Sequence, residues 1–175
     1  MDLATIIERL KSRTSKAEIV ALANEITLNH IDFHELFGLL QKDNQMAMRV
    51  SWLVENIVIP NRKYQNQYFD DLAMAYFKTK SGSVKRNIGK TIAHCEIPEK
   101  WEDELYSFCT KMLVDGNEVV AAKVHAMLIS TQIAIRYPDL IDELRETIKG
   151  EFDKNTVAYS AAAKRAFKLF KKAGY

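Results

Sequence analysis

An all-α superhelix, a short solenoid of stacked helix pairs, is the fold this sequence predicts, and three observations predict it. Arg49, Arg86 and Lys123 are cations spaced 37 residues apart. The stretches around them, MAMRVSWLVENIVI, SVKRNIGKTIAHCEI and VAAKVHAMLISTQIAI, repeat one another in outline. The three prolines, Pro60, Pro98 and Pro138, follow these stretches at nearly the same phase. A period in the high thirties marks helical hairpins stacked into an array. The 175 residues suffice for about four to five such pairs.

The elements follow in order. Ile6, Ile7 and Leu10 form a short apolar stripe, and Ile19, Leu22, Ala23 and Ile26 form the next at helical spacing. Ser15 with Glu18 reads as a capping box at the start of that second helix. Asp32-Phe33-His34-Glu35 opens a short helix through Leu36, Leu39 and Leu40, and Asp43-Asn44 supplies its stop. A helix from about Gln45 to Ile59 ends at Pro60-Asn61. Its partner spans about Tyr64 to Thr79, with Phe69, Leu72, Ala73 and Tyr76 on one face. Ser81-Gly82-Ser83 is the next turn, followed by a helix from about Val84 to Cys95. Pro98 opens a helix carrying Trp101, Leu105, Phe108 and Met112, since proline suits a first turn. Asp115-Gly116-Asn117 turns into a helix from about Glu118 to Arg136. Pro138 opens the next, and a last helix runs from about Thr156 to Lys172. No segment reads as a convincing strand.

Composition narrows the function classes. The apolar fraction is 47% and the charged fraction 27%, as expected of a packed, soluble chain. A net charge of +2 argues against a dedicated nucleic-acid or membrane binder, although a local patch can hide within it. No apolar run reaches the roughly 18 residues of a membrane span. The start MDLATIIERLKSR lacks the pattern of a signal peptide, so the expected location is cytoplasmic. Cys95 and Cys109 lie inside helical patterns, where thiols are ordinarily buried and inert.

Alignment on the period explains the repeat. Two places before each cation stand Ala47, Val84 and Ala121, and three places after it Trp52, Gly89 and Ala126. Small residues at these phases allow neighbouring first helices to approach closely, and Trp52 is expected in the core. The segments Arg49-Val50-Ser51-Trp52-Leu53, Arg86-Asn87-Ile88-Gly89 and Lys123-Val124-His125-Ala126, with the turns Asp43-Asn44 and Asp115-Gly116-Asn117, resemble HEAT-like repeats of the armadillo superfamily. The resemblance covers about residues 15 to 172. It implies a single domain over 1–175. The least regular pair falls at 1–41, clear repeats at about 43–80, 81–114 and 115–152, and a capping helix at 155–172. Ser81-Gly82-Ser83 departs from the pattern in lacking the turn aspartate, and Glu55 interrupts an apolar column.

Chemistry-bearing patterns are sparse. His30 and His34 tempt a metal reading, but a turn at Asp32 places His30 before the helix, and no HExxH glutamate accompanies them. His94, Cys95, Cys109 and His125 differ in helical phase and need not converge, although both cysteines fall within one predicted pair. Nucleophile-elbow and nucleotide-loop motifs are absent, and no carboxylate pair suits acid/base work. No catalytic residue, metal or cofactor is therefore expected.

The resemblance implies an interaction scaffold that binds a protein or peptide, with second helices lining a concave face. Tyr64, Tyr68 and Trp101, flanked by Arg62 and Lys63, are the candidate exposed anchors. A nucleic-acid role related to helical-repeat DNA glycosylases is the alternative, with Lys78, Lys80, Lys85, Arg86 and Lys90 as candidate contacts. HEAT-like repeats also occur in bilin lyases, but this chain lacks the loops and tetrameric core of an adenylosuccinate-type lyase. Self-association through an uncapped end completes the expectations.

Overall fold

A computed structural model describes residues 2–12, 15–41, 45–153 and 156–175. Every regular element among them is helical. The chain divides into two compact units, residues 1–96 and 97–175. The predicted pair 81–114 therefore has its first helix in one unit and its second in the other. Cys95 and Cys109 are separated in the same way.

The first unit begins with α1 (Leu3–Lys11), capped by Asp2, whose carboxylate accepts from the Thr5 amide at 2.9 Å. Then comes α2 (Lys16–Leu28), whose Ser15/Glu18 capping box is complete. A 3-10 segment, His34–Gln41, stands where a short helix was expected. It is followed by α3 (Gln45–Val58), α4 (Arg62–Gln67), α5 (Phe69–Lys78) and α6 (Gly82–Ile92). Here α3 packs between α2 and α6, while α5 packs on the 3-10 segment and on α6. First helices thus stack on first helices and second elements on second elements, as repeat stacking requires. The expected turn at Asp43-Asn44 lies outside the described residues.

The second unit holds α7 (Glu102–Val114), α8 (Val120–Arg136), α9 (Ile141–Gly150) and α10 (Val157–Lys172). Two-layer order recurs here: α8 packs on α10, α7 on α9, and α8 also meets α7 and α9. Pro98 and Pro138 do not open α-helices directly. Each sits at a 3-10 turn, Glu99–Trp101 and Pro138–Leu140, that leads into the helix. The Asp115 side chain accepts from the Asn117 amide at 2.9 Å, the hydrogen bond of an Asx turn.

Long-range polar contacts carry the period. Arg49 donates to the Leu10 and Lys11 carbonyls, 39 and 38 residues back, closing the end of α1. Buried Asn87 on α6 donates to Ser51 on α3, 36 residues away, at 2.9 Å. Lys90 reaches Glu55 at 2.5 Å over a separation of 35. In the second unit Arg136 donates to the Ile97 carbonyl, 39 residues back, and pairs with Glu102 at a separation of 34. Lys123, the third periodic cation, is buried and faces Glu151 at 4.0 Å. Glu55 thus interrupts an apolar column because it is the acid of a bond between repeats.

Three expectations are corrected by packing. The predicted helix Tyr64–Thr79 is broken at Tyr68, which leaves helical geometry at φ −111°, ψ 14°. Its ring lies 4.2 Å from that of Phe33 and its hydroxyl donates to Asp32, so a tertiary anchor overrides helical continuity. Gly89 is small for a different neighbour than the one expected. A Cβ there would lie 3.1 Å from the Tyr76 ring of α5, so the glycine admits a second-helix aromatic rather than a neighbouring first helix. Trp52 is half-buried rather than in the core.

Candidate functional site: a polar groove on the 3-10 segment and α5

A groove of about 530 Å³ opens in the first unit, between residues 34–41 and α5. His34, Glu35, Gly38 and Gln41 come from the 3-10 segment, and Asp71, Met74 and Lys78 from α5. The two sides are joined by His34 Nδ1 and Asp71 Oδ2 at 3.0 Å, a separation of 37 residues and so of one repeat. His34 is 64% exposed, so solvent and salt weaken this pair. Gly38 has nothing within 4 Å of where a Cβ would stand, which leaves that side of the groove open. Met74 is 40% exposed and supplies apolar surface. Phe37 lines the groove from below, almost fully buried.

An aromatic cluster positions the 3-10 segment. Phe33 meets Tyr64 edge-on at 5.6 Å and lies against Tyr68, and Phe37 stacks on Tyr68 at 5.9 Å. Such pairs add about 0.5–1.5 kcal/mol each beyond the area they bury. Asp32 completes the support by accepting from the His34 amide at 2.9 Å and from the Tyr68 hydroxyl at 3.0 Å. The His34 amide first, and then the Tyr68 hydroxyl, hold the Asp32 carboxyl below the usual carboxylate range. Burial, and after it the bond to Asp32, pushes the Tyr68 hydroxyl up to about 12.

Tyr64 and Tyr68 are therefore not exposed anchors. Both are buried, at 5% and 3% exposure, because their rings prop up the groove from behind. Trp101 is half-buried in the other unit, with the Lys100 ammonium 5.8 Å from its ring centroid. Arg62 pairs with Glu96 at 2.6 Å on the surface, and Lys63 is exposed beside it at the start of α4. The basic candidates disperse. Lys78 borders the groove, Lys80 is exposed beyond α5, and Lys85 is half-buried on α6. Arg86 donates to its neighbour Asn87 at 3.1 Å, and Lys90 is held by Glu55.

No group of three or more His, Cys, Asp or Glu side chains fit to hold a metal ion is found among the described residues. His30 sits in a turn at φ 50°, off the helical register that would bring it to His34. Among the described residues, the groove lining contains no serine, threonine or cysteine for the His34–Asp71 pair to activate. Cys95 is buried, which pushes its thiol up to about 12.

The HEAT repeat domain model matches residues 6–169, nearly the whole chain. The chain belongs to the HEAT-repeat family. No curated protein and no solved structure matches it. HEAT repeats generally serve protein interaction. No helix among the described residues of this HEAT-repeat chain is long and apolar enough to cross a membrane. The pairing of His34 with Asp71 escaped the sequence reading, which weighed His34 only with His30, although the 37-residue period sets the two at equivalent positions of successive repeats.

Proposed function

We propose that this HEAT-repeat chain is a non-catalytic scaffold that binds a protein partner through a peptide segment seated in the groove. One observation carries the reading: exposed apolar surface at Met74 lies beside an open glycine and within a mixed-charge rim of His34, Glu35, Asp71 and Lys78. Protein interfaces combine an apolar centre with a polar rim in this way. The segment that fits carries an apolar side chain for Met74 and an acid for Lys78. Acids at Glu35 and Asp71 disfavour a purely anionic ligand and set the register of a segment that also carries a base.

The test is selection from a displayed random-peptide library, with affinities then measured for wild type, Gly38→Leu and Met74→Glu. Gly38→Leu fills open space rather than core, so the fold is retained while the groove closes. Peptides should share an apolar-plus-acidic pattern and lose about tenfold or more with either substitution, a change of about 1.4 kcal/mol. Selected peptides that bind both variants as tightly as wild type would refute the groove as the site.

A further inference from the structure

The near-neutral net charge conceals a segregation. Residues 156–175 contain five cations, Lys164, Arg165, Lys168, Lys171 and Lys172, and no acid. The rest of the chain carries 20 basic and 23 acidic residues, a net of −3. All five cations are on α10, and all are exposed. The opposite face of the helix, Tyr159, Ala162, Ala163, Ala166 and Phe170, is buried within the unit, where α10 packs on α8 and α9. No ion pair to any of the five is found among the described residues, and two of the three acids on α9 are engaged on their own helix, Asp142 with Arg145 and Glu146 with Lys149. The helix dipole explains a base at Lys171 or Lys172. It does not explain Lys164 and Arg165, which stand two turns earlier.

We infer that the exposed face of α10 is a docking surface for the phosphate backbone of duplex DNA. Lys164, Lys168 and Lys172 follow one another at four-residue steps, so they rise about 6 Å apart along one face. Arg165 and Lys171 flank that row, and together they concentrate five positive charges over about 12 Å of helix. Four of the five are lysines, point charges that suit phosphate without fixed geometry. Lysine is depleted from protein–protein interfaces, and the half-buried aromatic among these cations, Phe167, is engaged by Phe152 rather than presented as the dry centre such an interface needs. A single strand would require a series of stacking platforms, yet Tyr159 and Phe170 are buried, Phe167 packs edge-on against Phe152, and the exposed Tyr175 past the end of α10 is a single ring. A bilayer would require the apolar face, which the unit has already used. An RNA duplex is read largely through its 2′-hydroxyls, for which this row of ammonium groups has no dedicated partner. The inference is independent of the groove and survives its failure.

The experiment measures anisotropy of a labelled mixed-sequence duplex of roughly 20 base pairs with the full chain, across salt from about 50 to about 200 mM. Five phosphate contacts predict a log–log salt slope of about −4.5, or about a 500-fold loss of affinity over that range. Lys164→Ala/Lys168→Ala/Lys172→Ala should bring the slope to about −1.8, a loss of about 12-fold, with the helical signal retained. Arg165→Gln/Lys171→Gln offers a second, independent reduction should the triple variant fold poorly. Absence of binding at the lowest salt, an unchanged slope in folded variants, or tighter binding of an RNA duplex, a single strand, a polyglutamate peptide or anionic vesicles would overturn the inference.

Discussion

Arg136 and Glu102 are expected to be unequal partners, and the inequality can be worked from their surroundings. The Glu102 side chain is 4% exposed, whereas Arg136 is 41% exposed. Removing the arginine in Arg136→Met leaves a buried carboxylate without its cation, a class of change that costs about 3–5 kcal/mol. Two features soften that loss. The Tyr137 hydroxyl still donates to Glu102 at 2.6 Å. Glu102 is also the first residue of α7, where the helix dipole favours an anion by about 0.3–1 kcal/mol. The lost bond from Arg136 to the Ile97 carbonyl adds about 1 kcal/mol. A net cost of about 3 kcal/mol results, which at a urea m-value of about 2 kcal/mol/M lowers the midpoint by about 1.5 M. Glu102→Gln leaves an arginine that solvent can rehydrate and an oxygen that Tyr137 can still reach, so it should cost only about 1 kcal/mol. Far-UV circular dichroism in urea measures both variants, and the double variant should cost less than their sum by about 1 kcal/mol or more. Equal single costs, or strict additivity, would refute this account of the clamp.

Two further outcomes follow from packing. Gly89→Leu should destabilise by about 1–3 kcal/mol by forcing the Tyr76 ring out of contact, while Tyr76→Ala in the same background should recover part of the loss; an unperturbed Gly89→Leu melt would contradict the close approach. Neither thiol should react with a disulfide reagent at about pH 8 until urea unfolds the chain, since Cys95 and Cys109 are both buried and burial holds the Cys95 thiol up at about 12. Rapid labelling of the native protein would contradict that burial.

The repeat was legible in the sequence because stacking imposes the same demand every 37 residues, and a demand that recurs leaves a period. The same demand appears in the bonds at separations of 34–39, such as Arg49 to Leu10 and Arg136 to Glu102. What was not legible depends on local departures from the repeat. Tyr64 and Tyr68 read as surface aromatics because their burial needs Phe33 and Phe37, presented by a segment that forms a 3-10 turn rather than a helix. Gly89 showed its size but not its neighbour, since helical phase alone does not say which layer meets it. The groove escaped because its walls are two ordinary-looking stretches whose pairing rests on His34 and Asp71. Aligning position 34 with position 71 on the known period is the signal that would have found it. Charge segregation on α10 was visible as a basic last helix, and burial of its other face makes it a surface.

The account's central claim is that the groove receives a partner's peptide segment. Amide chemical-shift mapping of the full chain during titration with a library-selected peptide tests it most directly. The account predicts that the largest shifts fall within residues 34–41 and 71–78 and vanish in Gly38→Leu. Shifts centred elsewhere, or persisting undiminished in that variant, would contradict it.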